Sequence, residues 1–397
     1  MKTLQTQNSR VMSIDLLRGL VMTFMALDHV RMYFALGTWY VEPTDLSTTT
    51  PLLFFTRWIT HFCAPVFIFL AGTSAFLHGT KKASPKELSW FLFTRGLWLI
   101  FAELVIVNFA WTFDITYSFI ILQVIWAAGI SMIVLSALIF LPNTLILGTG
   151  IMLVFGHNLL DAIQMQEKTI WDFIWYTLHQ PKFLTLDANY IVNFVYPVLP
   201  WIGLMALGYV CGTLYKRDFP AEKRKRWLVS IGIGVLVLFI ALRAFNLYGE
   251  PSNWESQNSP LFTLMSFLNT TKYPPSLQFL LMTMGPALVF LSLTDSVQNR
   301  ITTPLTVFGR VPFFFYIIHL YFIHILAVLY LVYAGHDWHE YIFSAARIRS
   351  GTLISFGLSL GAVYLVWILV LVLLYPLCRW YQKYKENNPS KWWLGYL

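Results

Sequence analysis

Apolar residues in this chain fall in long, nearly unbroken runs, not in the two-residue or 3.6-residue alternation of half-buried strands and helices. A membrane-spanning helix needs about 17–25 mostly apolar residues. Runs of that kind cover 13–36, 52–77, 88–111, 117–141, 144–160, 190–215, 227–248, 276–293, 306–333 and 352–377. The fifth is short, and the ninth is long enough to tilt or kink. The pattern predicts an all-α polytopic transmembrane bundle of about ten helices. It reads as one membrane-embedded domain over 1–397, with tails at 1–12 and 378–397. The first run is too long for a cleaved signal peptide and carries Asp15, Arg18, Asp28, His29 and Arg31.

Composition agrees. Hydrophobic residues make up 57% and charged residues 12% of the chain, against roughly 25% charged in soluble domains. High hydrophobicity excludes disorder, and 17% aromatic residues suit a protein anchored at two interfaces. The net charge of +8 gathers in alternate connections. One set holds Lys2 and Arg10; Lys81, Lys82 and Lys86; Lys216, Arg217 and Lys223 to Arg226; Arg300; and Arg379, Lys383, Lys385 and Lys391. The other set holds only Lys168, Lys182, Lys272, Arg347 and Arg349. The positive-inside rule then puts the basic set and both termini in the cytoplasm. The run 216–226 reads as a topology determinant against anionic lipid, and no nucleic-acid partner is implied. Cys63, Cys211 and Cys378 are too scattered for a disulfide framework, and no metal-ligand spacing appears, so no metal is expected. The absence of a clear internal repeat weighs against an inverted-repeat carrier.

Function must then come from polar groups inside the runs, where a charge at mid-helix costs roughly 2.5–3.5 kcal/mol. Arg18 and His29 are eleven residues apart. On a helix that spacing returns to within about 20° of one face and separates them by about 16 Å along the axis. One reading is structural: Arg18 snorkels and pairs with Asp15, Asp28 neutralises Arg31, and His29 is a hydrogen-bonded core histidine. The other is an elongated anionic donor, its phosphates at Arg18 and its reactive end at His29. Arg57 and His61 share a face near the outer side. Glu103 falls mid-run, either protonated or paired with an arginine, and Gln123 lies in the next run. Lys272 and Tyr273 precede the eighth run at outer depth. His319 and His324, five residues apart, point about 140° from each other, which argues against a metal pair. His78 ends the second run at the inner side, at the interface or against a donor. A secondary transporter would use Asp28, His29, Arg57 and Glu103 as an intramembrane proton relay.

Residues 13–30, SIDLLRGLVMTFMALDHV, resemble the opening helix of bacterial relatives of heparan-alpha-glucosaminide N-acetyltransferase. Arg18 and His29 also resemble the arginine–histidine signature of acyltransferase-3-type membrane O-acyltransferases. Further similar stretches follow in order: APVFIFLAGTSAFL (64–77), RGLWLIFAEL (95–104), LQVIWAAGISMI (122–133) and YPVLPWIGLMALGYVCG (196–212). NTTKYPPSLQFLLMTMGPAL (269–288) and FGRVPFFFYIIHLYFIHILA (308–327) complete the set. The resemblance implies transfer of an acetyl or other acyl group from cytosolic acyl-CoA to a sugar-like acceptor reached from the far side of a bacterial-type inner membrane. It gives His29, with Asp28 beside it, the catalytic role; a histidine of pKa about 6.5 suits proton removal at neutral pH. Arg18, Lys81 and Lys82 would bind the donor, and Arg57, His61, Glu103, Gln123, Lys272, Tyr273 and His319 would line the acceptor cavity. The animal enzyme has asparagine at the His29 position and a histidine in the loop that here reads GTWYVEPTD (37–45). A hydroxyl is therefore at least as apt an acceptor as an amine. A homodimer is compatible with this reading.

Overall fold

The computed structural model describes residues 11–38, 41–295, 297, 299–351 and 356–396. Lys2, Arg10, most of the 1–12 tail and the first residues of the 352–377 run lie outside them. Helices α1 (Met12–Phe34), α2 (Pro51–Gly79) and α3 (Pro85–Thr112) come first. Strand β1 (Phe119–Leu122) then leads into α4 (Val124–Leu138) and α5 (Asn143–Leu160). The short α6 (Ile170–Leu178), β2 (Lys182–Thr185) and β3 (Ile191–Phe194) precede α7 (Leu199–Tyr215) and α8 (Ala221–Ala244). After α9 (Pro260–Leu268) come α10 (Leu277–Leu293), α11 (Thr302–Arg310), α12 (Pro312–Tyr333), α13 (Ala345–Ser350) and α14 (Leu360–Asn387). The starts are chemically marked. Thr50, Ser84 and Ser259 each accept a backbone N–H of the first turn, and each is followed by a proline whose missing N–H costs nothing there.

Among the described residues, six helices are long and apolar enough to cross a membrane: α2, α3, α5, α8, α12 and α14. Helices α4, α7 and α10 are apolar but shorter. Helix α1 carries the charges and sits at the centre, against α2, α10, α11, α12 and α14. That is where a charged helix belongs, since its polar groups then meet protein rather than hydrocarbon. The outward faces of α8 (Ile231, Ile233, Val237, Ile240) and α14 (Leu365, Ile368, Leu369, Val372) are apolar and exposed. The chain is an integral membrane protein.

Three runs break where a helix was expected. Residues 119–122 and 191–194 are strands, paired in parallel as Phe119 with Ile191 through Leu122 with Phe194. Strand β2 pairs antiparallel with β3, giving the order β1-β3-β2, a small sheet at the end of α3 remote from Lys81. Short apolar runs rich in Ile, Val and Phe satisfy either element, and here tertiary pairing decides. The run 306–333 divides at Val311, which leaves the helical region (φ −130°, ψ 49°) before Pro312. Proline's ring crowds the residue before it out of the α conformation. Helix α14 runs on to Asn387, so much of the expected 378–397 tail is helical.

Glycine allows the closest crossings. A Cβ on Gly19 would lie 1.7 Å from the Leu305 carbonyl oxygen, and one on Gly309 1.8 Å from that of Asp15. Helices α1 and α11 therefore meet backbone to backbone.

Candidate active site

A cavity of about 810 Å³ runs between α1, α2, α3, α4 and α12. Its mouth carries seven cationic side chains, Arg18, Lys81, Arg95, Lys216, Arg217, Arg310 and Lys385, against the carboxylates of Asp15 and Asp218. Its shaft is apolar, walled by Met22, Met25, Phe67, Ile68, Leu99, Ile125 and Met132 among others. Positions 14, 18, 22 and 25 of α1 line it in succession, so it follows the helix away from the basic connections. On α12 the lining ends at Tyr316.

Arg18 is built into this wall. It donates to Ser74 Oγ at 2.7 Å and to the Gly309 carbonyl at 3.1 Å, and it lies 3.4 Å from Asp15. Asp15 also meets Arg310 at 3.5 Å, so α1, α2 and α11 are held together at the mouth. Arg95 donates to the carbonyl of Gly395, which lines the cavity, and Thr94 bonds the Tyr396 hydroxyl at 2.8 Å. The last described residues thus close one side of the mouth. Of the expected donor residues, Arg18 and Lys81 line the cavity. Lys82 does not; its ammonium lies 5.9 Å from the ring centroid of Phe91, which does. His78 lines the wall too and stacks on Phe91 with ring centroids 4.2 Å apart.

His29 lies one helical turn beyond Met25 and is itself only partly buried. Its Nδ1 is 2.7 Å from Nε2 of His319, whose Nδ1 is 2.8 Å from the carbonyl of Phe315. A carbonyl only accepts, so His319 Nδ1 carries a proton and its Nε2, in the neutral ring, accepts. His29 Nδ1 must then donate, leaving a lone pair on His29 Nε2. The tautomer follows from the network. Trp111 packs edge-on against His29 at 4.8 Å, and Tyr316 edge-on at 6.4 Å. Helices α1, α3 and α12 therefore converge on one imidazole.

Asp28 faces elsewhere. Its carboxylate accepts from Arg31 at 3.0 Å and from Arg57, so one acid holds two cations beside His29. His61, one turn after Arg57, is buried against Phe279 with Nδ1 unpaired. Lys272 stands 5.2 Å over the Tyr273 ring, which packs on Tyr196. His319 and His324 serve different partners, as their angular separation predicts; His324 contacts the carbonyls of Ala110 and Tyr341.

Among the described residues, Glu103 has no arginine partner. It is fully buried in a π-helical stretch of α3, Ala102–Val107, and Oε1 accepts the backbone N–H of Gln123 at 3.1 Å, at the start of α4. Asn108 completes the joint by bonding the N–H and C=O of Ile121. Glu103 thus caps α4, and Gln123 takes part through its backbone. Replacing Glu103 by leucine should leave that N–H unpaired and cost about 1–2 kcal/mol. Glu103→Gln keeps an acceptor and should cost less, which thermal unfolding of the two purified variants will separate.

Several wall residues carried no site signal in the sequence. Lys216 and Arg217 read there as part of a topology run, Lys385 as one of the basic cytoplasmic set, and Arg310 falls unmarked inside the similar stretch 308–327. Arg95 and Tyr316 lie inside similar motifs, yet nothing local marks them as facing one cavity.

The family model described as heparan-alpha-glucosaminide N-acetyltransferase, catalytic, matches residues 10–244. No curated protein matches the chain. The matched residues include Arg18, His29, Arg57, Lys81 and Arg95; Lys272, Arg310, Tyr316 and His319 lie beyond them.

Proposed function

This chain belongs to the heparan-alpha-glucosaminide N-acetyltransferase catalytic family, and on that premise we propose a membrane-embedded transfer from acyl-CoA to a sugar-like acceptor. The donor, acetyl-CoA or a related thioester, enters from the basic, cytoplasmic side. The acceptor presents a hydroxyl or amine from the opposite side. The observation that carries this reading is one elongated cavity, cationic at its mouth and apolar along its shaft, that ends next to an imidazole with its Nε2 lone pair free.

Each part of a coenzyme A thioester has a counterpart. Its phosphates match Arg18, Lys81, Arg95 and Lys216, with Lys82 adding charge just outside; arginine stays ionised and binds phosphate through paired N–H groups. The pantetheine arm matches the shaft along Met22 and Met25. His29 Nε2 takes the acceptor's proton as its oxygen or nitrogen bonds to the thioester carbon. When the C–S bond breaks, the departing sulfur receives that proton and His29 is neutral again. His319 holds the imidazole in the required tautomer throughout. Arg57, His61, Lys272 and Tyr273 would face the acceptor, and Asp28 keeps Arg57 in place while balancing part of its charge.

The test is acetyl-CoA binding and thiol release by the purified protein in detergent. We expect saturable binding, slow thioester hydrolysis without acceptor, and affinity at least about tenfold weaker at high than at low salt, because the mouth charges are solvent-exposed enough to be screened. A folded protein that binds no acyl-CoA at millimolar concentration overturns the reading. Solute flux in proteoliposomes, independent of acyl-CoA, would instead support a carrier.

A further inference from the structure

The transfer described above leaves one charge unattended. As the acceptor attacks, the electron pair of the thioester C=O moves onto its oxygen, and an apolar shaft offers that oxygen nothing. Groups that donate hydrogen bonds to such an oxygen are commonly the largest electrostatic contribution to acyl transfer.

The lining residues farthest along their helices from the basic mouth are Met25 of α1, Phe67 of α2, Leu99 of α3, Val124 of α4 and Tyr316 of α12. Four of these five side chains are apolar. Tyr316 alone among them has a polar hydrogen, and it also touches the catalytic imidazole: its ring lies edge-on to His29 at 6.4 Å and to His319 at 5.7 Å. The indole N–H of Trp111, packed on the same imidazole, makes no hydrogen bond. Glu103 does not take the Tyr316 proton; its Oε2 makes no hydrogen bond, and its Oε1 is committed to Gln123.

We propose that Tyr316 is the oxyanion donor of this site, its hydroxyl hydrogen-bonding the thioester carbonyl oxygen at the inner end of the cavity, beside His29. The inference rests on the acyl-CoA reading above. In the forward step the acceptor oxygen or nitrogen bonds to the carbonyl carbon, its proton passes to His29 Nε2, and the carbonyl oxygen becomes an alkoxide held by Tyr316. In the second step the C=O bond re-forms, the C–S bond breaks with its electron pair on sulfur, and His29 returns the proton to that sulfur. Tyr316 keeps its proton from beginning to end. It is therefore a stabiliser of charge, distinct from the base.

Tyr316→Phe removes one oxygen atom and retains the ring, so the packing against His29 and His319 survives. Wild type and Tyr316→Phe are compared for acetyl-CoA affinity, thermal midpoint and the rate of thiol release with saturating acetyl-CoA. The expected result is a rate lower by about 10²–10³-fold, in line with loss of one oxyanion donor, with affinity and midpoint essentially unchanged. A folded Tyr316→Phe that releases thiol at close to the wild-type rate overturns this inference and leaves the acyl-CoA reading standing. So does a variant that loses affinity while keeping its rate, because Tyr316 would then bind the ground state only. A wild type that neither binds nor cleaves acetyl-CoA overturns both.

Discussion

His29→Ala should bind acetyl-CoA as wild type does and release thiol about 10³-fold more slowly, within the range of about 10²–10⁴ that a positioned general base contributes. The separation of binding from turnover is the informative part. His29 does not line the cavity proposed for the donor, whose cationic mouth and apolar shaft are built from other residues. Removing the imidazole takes away the Nε2 lone pair and leaves those walls intact. The vacated space lies between Trp111, Tyr316 and His319, and none of these can accept the acceptor's proton from the same place while keeping its present partners. Calorimetric titration and a thiol-release assay on the same preparation decide the matter. Turnover within about tenfold of wild type would mean that the proton leaves by another route, since general-base loss is larger than that.

The second large effect concerns folding. Gly19→Val is expected to yield no folded protein. Its Cβ would begin 1.7 Å from the Leu305 carbonyl oxygen, and the obstacle is main chain within α11, so no side-chain rotation relieves it. Ordinary overpacking of a core costs about 1–3 kcal/mol because side chains shift; here two helices must separate. Their separation would also break the Arg18 bond to the Gly309 carbonyl and strain the Asp15–Arg310 contact. Gly234→Val is the matched control, as a Cβ there meets nothing within 4 Å. Size-exclusion profiles of the two variants in detergent should show a monodisperse peak for position 234 and none for position 19.

Much of the frame was legible because hydrocarbon imposes one simple demand, long apolar helices, and the long runs record it. Helices α1, α2, α3, α5 and α10 follow their runs closely at one or both ends. The errors arise where apolar character was all there was to read. Residues 119–122 and 191–194 are as apolar as a helix, and only their pairing with each other makes them strands. Pro312 was visible in the sequence, yet its power to divide the 306–333 run depends on whether the freed backbone groups find partners. The site divides in the same way. Arg18 and His29 could be placed on one face of one helix by counting residues. That His319 would meet His29 could not, because its angle was known only relative to His324 on the same helix. The contact depends on how α12 packs against α1, which no periodicity within either helix encodes.

The His29–His319 bond joins positions 290 residues apart, and only His29 lies among the residues matched to the family model. Chimeras are the place where this will be felt. On the proposed function, a hybrid that joins residues 1–244 of this chain to the remainder of a relative inherits its base from one parent and that base's orientation from the other. If the donor of the second half offers no acceptor at position 319, the ring of His29 is free to turn over, presenting N–H where a lone pair is required. Such a hybrid can fold, insert and load its thioester, and still be silent. Recombination between relatives is therefore best planned around this pair, with the two positions exchanged together wherever the junction itself is placed.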